Sequence, residues 1–222
     1  MASLAEKYRP TELTDVVGQD DVIALLVRLW NCGGWGGRAF YLTGPTGVGK
    51  TTVGRIIARA VAGTELGHVR ELDAGDLTEA RVATIARSTS ARTLFGGWAI
   101  IVNEAHGLDP TVVRRLLTAM EPISPWTVWI FTSTSTGTQL LLDKSEDAKP
   151  LMDRCKRLKL YGGTRPETGA AFAQRAREIA LKEGLDGAEL STYHNKVRGD
   201  SCKGSMRALL EAVESGEIGK GK

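Results

Sequence analysis

Apolar residues in this chain fall into short continuous runs, separated by longer stretches in which they recur every three or four positions. The runs RAFYLTG, GWAIIVNEA and TVWIFTSTS read as buried strands, and another strand is expected near HVRELDAGD. The longer stretches read as amphipathic helices. In TELTDVVGQDDVIALLVRLWNCGGWGG, a turn leads into a helix whose Val22, Leu25, Leu26 and Leu29 share one face, and glycines from Gly33 to Gly37 end it. VGKTTVGRIIARAVAG is expected to turn Ile56, Ile57 and Ala60 inward and to stop at Gly63. TEARVATIARST carries Thr78 as its N-cap, and DPTVVRRLLTAME carries Asp109 as cap with Pro110 in the first turn. LDKSEDAKP, polar and bounded by proline, is expected to be a surface loop.

Strands and helices alternate to about residue 160, which predicts an α/β fold with a mainly parallel sheet covered by helices. Beyond YGGTRPE no strand pattern remains, and PETGAAFAQRAREIALKEG, DGAELSTYHNKV and KGSMRALLEAVESG all read as helices. The expected organisation is an α/β domain over residues 1–163 and a small all-helical domain over 164–222.

A length of 222 residues fits this division. The apolar share of 42% and charged share of 25% are those of an ordinary globular protein. The net charge of +3 is too small to imply nucleic-acid binding, so any basic surface must be local. Cys32, Cys155 and Cys202 are far apart and form no C-x-x-C pair, and His68, His106 and His194 are scattered. No disulfide framework or zinc site is expected, and a reduced compartment is. The amino-terminal MASLAEKYRP lacks an apolar signal core, and no run approaches a membrane span. The expectation is a soluble protein acting in the cytoplasm, its own or, for a viral chain, the host's, with no membrane partner.

GPTGVGKTT, Gly44 to Thr52, fits G-x-x-x-x-G-K-[ST] between a predicted strand and a predicted helix. Glycines let backbone N–H groups turn towards a phosphate, and the helix that begins there adds its positive end. In this pattern Lys50 reaches the β- and γ-phosphates, and the Thr51 hydroxyl sits on Mg²⁺. ATP and Mg²⁺ are therefore the expected ligands. WAIIV ends in Asn103-Glu104, a place where carboxylates are expected. Glu104 can polarise the attacking water, while Asn103 offers the metal only a weak carbonyl. The bland alternative is that NEAH is a strand-to-loop turn. Thr134, at the tip of a strand beside the phosphate strand, suits the γ-phosphate or the attacking water, although Ser and Thr are common at such turns.

EKYRPTELTDVVGQ, GPTGVGKTT, ELDAGD, NEAHGLD, RRLLTAMEP, FTSTST, PLMDRC and GSMRALLEAV occur in this order. The series resembles the AAA+ clamp-loader ATPases, the archaeal and eukaryotic replication factor C small subunits and the bacterial gamma/tau subunits, over nearly the whole chain. EKYRP…VVGQ and the DRC step are its most specific parts. The resemblance implies an AAA+ P-loop NTPase fold followed by a helical lid. It implies that Tyr8, Arg9, Pro10, Val17 and Gly18 line the adenine and ribose. Gly44, Pro45, Thr46, Gly47, Val48, Gly49, Lys50, Thr51 and Thr52 would hold the phosphates, and Thr51 with Asn103 the metal. Glu104 would be the base and Thr134 the first sensor. Arg154 of DRC would be a finger inserted into a neighbouring subunit's site, and Arg207 of GSMR the second sensor. By themselves, Arg154 reads as a surface arginine and Arg207 as a helix-surface charge.

Partners implied by the resemblance are other clamp-loader subunits in a pentamer, a sliding clamp and primer–template DNA. Arg81, Arg87, Arg114 and Arg115 lie on the helices that would face the DNA. The sequence departs from the family at Asn103, at Asp153 before Arg154, and in a long Thr134–Arg154 interval. The bacterial zinc cysteines are missing, and the chain ends after the lid, so no collar domain is expected. The leading reading is an ATP-dependent clamp-loader subunit. The alternatives are a subunit that holds ATP structurally, with hydrolysis blunted by Asn103, and another AAA+ ATPase of DNA repair or branch migration.

Overall fold

A computed structural model describes residues 2–63, 68–93, 96–185 and 188–218. The chain forms two compact units. One takes Met1–Ile23, Gly44–Thr52 and Leu160–Lys222, and the other takes Ala24–Thr43 and Val53–Lys159.

The second unit holds a five-stranded, all-parallel sheet of β1 (Arg38–Thr43), β2 (Val69–Asp73), β3 (Trp98–Asn103), β4 (Thr127–Ser133) and β5 (Lys156–Lys159). Their order is β2-β3-β4-β1-β5. In register, Phe40 faces Ile130 and Ile100 faces Trp129. The central strands are apolar throughout because both faces are covered. On one face Tyr41, Ile100, Val102, Trp129 and Phe131 pack with α4 (Glu79–Thr89), α5 (Pro110–Ala119), α6 (Ser135–Lys144) and α7 (Ala148–Asp153). On the other, Phe40, Leu42, Ile101 and Ile130 are fully buried. There Gly54, of α3 (Lys50–Ala62), lies against Ile130, and a Cβ on it would stand 3.2 Å from the Ile130 methyl.

Thr78 caps α4 by accepting the Arg81 amide at 3.3 Å, as its position predicts. Asp109 stands at the N-cap of α5, but its side chain makes no capping bond there. Three expectations are corrected. Residues 142–150 are not a loop: Leu142–Lys144 close α6 and Ala148–Pro150 open α7. Leu141, Ala148, Leu151 and Met152 are buried there, and Pro150 lies in the first turn, where an amide N–H has no helical partner to lose. In α3, Ala60 is exposed; Val53, Ile56 and Ile57 supply the inner face. The edge strand β5 was not expected, since only Leu158 of its KRLK is buried.

The first unit is helical, with α1 (Leu4–Lys7), α8 (Pro166–Lys182), α9 (Leu190–Arg198) and α10 (Met206–Glu214). Leu4 is buried with Phe172, Ile179, Tyr193, Leu209 and Val213 in one core, so the amino terminus is part of this unit. A helix is expected over DGAELSTYHNKV; α9 starts only at Leu190, with Glu189 at its N-cap, and Asp186 and Gly187 lie outside the described residues. The boundaries between the units run through α2 (Asp20–Asn31) and α3. Among the described residues, no helix is long and apolar enough to cross a membrane.

Candidate functional site

Three neighbouring parallel strands, β3, β4 and β1, end at Asn103, Ser133 and Thr43. The chain continues from them into Glu104, Thr134 and Gly44. Ligands of open parallel sheets gather at carboxyl ends of this kind.

In the first unit the segment after β1 turns on Gly44, Gly47 and Gly49, with φ of +153°, +76° and +103°. These values favour glycine. A Cβ at Gly49 would meet open space, so that side of the loop is free to take a ligand. Pro45 and Thr46 are exposed at the tip, Val48 is buried beneath it, and Thr51 is half-buried in the first turn of α3. Lys50 is 7% exposed, and its ammonium donates to the Gly44 and Pro45 carbonyls at 3.0 and 2.7 Å. It therefore sits inside the loop, where a phosphate would meet it.

Arg207 is exposed, and its backbone N–H reaches the Gly47 carbonyl at 3.3 Å. Ser205, the N-cap of α10, occupies the space that a Gly47 side chain would need. The helix carrying Arg207 thus starts at the tip of the phosphate loop.

The amino-terminal residues join the same unit. Arg9 donates to Thr52 Oγ1 at 3.2 Å and pairs with Glu6, and Pro10 follows it. The Tyr8 hydroxyl donates to Glu183, which also accepts Lys7 at 2.7 Å. The Lys7 bond, with that of Tyr8 behind it, holds the Glu183 carboxyl below its ordinary 4.5; the same Glu183 contact raises the Tyr8 phenol. Val17 packs at the edge of the helical core. Gly18 has φ +69°, and its carbonyl accepts the Thr168 hydroxyl at 3.1 Å.

Next to it is a cavity of about 100 Å³ lined by Gly18, Gln19, Asp21, Tyr161, Arg165 and Thr168. Gln19 is 2% exposed and bonds both the carbonyl and the N–H of Tyr161, at 2.8 and 2.9 Å. The Arg165 guanidinium lies 4.4 Å over the Tyr161 ring. Sequence reading missed Gln19, Tyr161 and Arg165 as wall residues. Gln19 stands in the VVGQ segment, whose final amide was the available signal.

In the second unit Asn103 uses both ends of its amide. Its Nδ2 donates to Glu71 Oε1 at 2.8 Å, and its Oδ1 accepts the Thr132 hydroxyl at 3.1 Å. Glu71 in turn accepts two bonds from Arg55, at 2.8 and 3.1 Å. Glu104 is left-handed, with φ 50° and ψ 49°, a conformation that costs a non-glycine residue energy. Its side chain is 55% exposed and stands 3.3 Å from His106 Nδ1.

Thr134 is the N-cap of α6, and its Oγ1 accepts the Gly137 N–H at 2.9 Å. Arg154, at the end of α7, donates to Glu121 at 3.2 Å and to the Pro150 carbonyl at 3.3 Å. Arg81 bonds the Asp76 carbonyl, Arg114 pairs with Asp147, and Arg87 and Arg115 are exposed. Sequence reading missed Glu71 and Arg55, because nothing in residue spacing reveals contacts made across neighbouring strands.

A Gly-rich loop joining parallel strand β1 to a helix, with an acidic residue after β3, one strand removed in the sheet, defines a P-loop nucleoside-triphosphatase fold. The profile of the ATPase family associated with various cellular activities (AAA) matches residues 40–158, and the chain belongs to that family. It is similar to the replication factor C small subunit of Haloarcula marismortui, at 28% identity over 96% of this chain and 62% of that one. With replication factor C subunit 4 of Arabidopsis thaliana it shares 29% over 88% of this chain and 58% of that one. With the replication factor C large subunit of Methanosarcina mazei it shares 40% over 54% of this chain and 20% of that one. The chain thus spans about three fifths of the small-subunit relatives' length, 62% of each of two haloarchaeal ones. The Thermotoga maritima RuvB Holliday junction branch migration motor shares the fold, with TM-score 0.67 and 22% identity over 93% of this chain and 64% of that one.

Proposed function

We propose that this chain is an ATP-hydrolysing subunit of a DNA sliding-clamp loader, acting on primer–template DNA in replication. The observation that carries the proposal is the phosphate loop of left-handed glycines closed around Lys50, with the start of the Arg207 helix at its tip. The similarity to replication factor C small subunits along nearly the whole chain points the same way. We place the ATPase domain at 1–163 and the lid at 164–222.

The loop N–H groups and Lys50 hold the phosphates, and Tyr8, Arg9, Pro10, Val17 and Gly18 border the base and ribose. Water attacks the γ-phosphorus and gives its proton to Glu104, and the bond from phosphorus to the bridging oxygen breaks, leaving ADP and phosphate. Thr134 orients the water or the γ-phosphate. Arg207, and Arg154 from a neighbouring subunit, balance charge in the transition state.

Hard oxygen donors suit Mg²⁺. The Thr51 hydroxyl and the Asn103 side-chain carbonyl are donors of this kind. When bound with nucleotide, the metal neutralises phosphate charge, and these two residues are the ones that would hold it.

One observation favours a second reading, in which the chain holds ATP and hydrolyses it slowly. Position 103 is neutral, and its amide is already bonded to Glu71 and Thr132.

The test is steady-state ATP hydrolysis over a range of protein concentrations, with and without primed DNA. The clamp-loader reading expects the rate per subunit to rise with both. A flat background rate with tight ATP binding would leave the structural reading. Glu104→Gln is expected to lower turnover by about 10²–10⁴ while ATP binding is kept.

A further inference from the structure

His106 links the chain segments that follow β3 and β4. Its Nδ1 lies 3.3 Å from Glu104 Oε2 and 3.4 Å from Ser133 Oγ. The Ser133 hydroxyl donates to the Thr134 carbonyl at 3.2 Å. Nδ1 is then the donor to the Ser133 oxygen, and the Glu104 carboxylate lies within ion-pair distance of the same nitrogen.

Two further features show that the ring is held in place. Glu104 is fixed in a left-handed conformation that directs its carboxylate back over the turn at residues 105–107. Gly137, in the first turn of α6, faces the imidazole, and a Cβ there would come within 2.6 Å of Nδ1 and 2.9 Å of Thr134 Oγ1. The Gly137 N–H is bonded to that same Thr134 oxygen. The ring therefore fills a space that any larger residue at 137 would close. Glu104, His106, Ser133, Thr134 and Gly137 form one connected cluster within the sheet-bearing unit.

We infer that His106 is a positioning residue, which ties the Glu104 carboxylate to the Thr134 segment and so sets the rate of ATP cleavage through Glu104. The inference rests on the ATPase reading above and assigns a residue that reading does not use. Displacing a reacting group by about 1 Å costs on the order of 10²-fold in rate, and a carboxylate 55% exposed has little else to hold it.

The test uses the full chain. Ring nitrogen signals of the three histidines, ¹⁵N-labelled, are compared between wild type and Glu104→Gln, while turnover and equilibrium ATP binding are measured for His106→Ala, His106→Asn and Gly137→Ala. Glu104→Gln should move the His106 signals and leave those of His68 and His194 in place. His106→Ala should lower kcat by about 10- to 100-fold with ATP affinity within about twofold. His106→Asn, which keeps a donor near Nδ1, should recover part of that rate. Gly137→Ala should lower kcat, and its effect should not add to that of His106→Ala.

His106 signals that stay in place while the wild type turns ATP over normally would overturn the inference alone, as would His106→Ala turning over like wild type. A wild-type chain that does not hydrolyse ATP, with His106 signals that still respond to Glu104→Gln, would overturn the ATPase reading and leave the tie standing.

Discussion

Asn103 is held by a carboxylate on one side and a hydroxyl on the other, and that environment selects a neutral amide. An aspartate in its place would keep the Thr132 bond but would set a second negative charge against Glu71. Asn103→Asp is therefore expected to destabilise the chain by about 1.5–3 kcal/mol, the worth of a hydrogen bond to a charged group. Denaturant unfolding measures this, and Asn103→Asp combined with Glu71→Gln should regain most of the loss. A single variant as stable as wild type would mean that Glu71 does not constrain this position.

Glu183 gives a second residue-scale expectation. Its carboxyl is held below the ordinary value by Lys7 and Tyr8, so the stability it contributes is complete above pH 4.5 and is lost as pH falls through the lower folded value. Thermal unfolding of Glu183→Gln should show a smaller loss than wild type between about pH 5 and pH 3.

At the scale of elements, α10 begins against the phosphate loop, and its capping residue Ser205 lies where a Gly47 side chain would go. Gly47→Ala forces φ +76° on a residue with a Cβ, which alone costs about 1 kcal/mol, and it also displaces Ser205. It should lower both stability and ATP affinity; calorimetric titration with ATP checks the second.

Which elements were legible follows from their burial. The runs at β1, β3 and β4 are apolar because both faces of the sheet are covered, and they stand out in sequence for that reason. β5 sits at the edge with one buried residue, and KRLK carries no such pattern. α6 and α7 read as a loop because Pro150 and a run of charges mask a buried side made of Leu141, Ala148 and Leu151. The phosphate loop is written in consecutive residues and could be found there. The partners of Asn103 and Glu104 meet only through strand pairing and the turn after β3, so spacing did not reveal Glu71 or the role inferred for His106.

For the whole molecule, the proposed trans finger makes a prediction that no single subunit can satisfy. The Arg154–Glu121 pair is exposed, and such pairs are worth about 0–1 kcal/mol, so Arg154 can leave it for a neighbour at little cost. Arg154→Ala should lower turnover by about 10³-fold or more, and Glu104→Gln by about 10²–10⁴-fold. Mixed together, the two variants should recover activity, because the intact Glu104 of one then meets the intact Arg154 of the other. Mixtures that stay as inactive as their components would rule out a shared site. The net charge of +3 adds that any grip on DNA comes from local arginines, and DNA stimulation should weaken as salt rises.

The phosphate loop belongs to a unit assembled from both ends of the chain, with Gln19 bonded to Tyr161, Lys7 to Glu183 and the Leu4 amide to Glu214. During synthesis on the ribosome, the loop emerges more than a hundred residues before its lid partners at Ser205 and Arg207. A nascent chain stalled before residue 160 can pair its central strands yet lacks the surroundings of its own nucleotide loop. ATP capture is thus expected only after the segment that carries Ser205 and Arg207 has emerged and folded onto the loop.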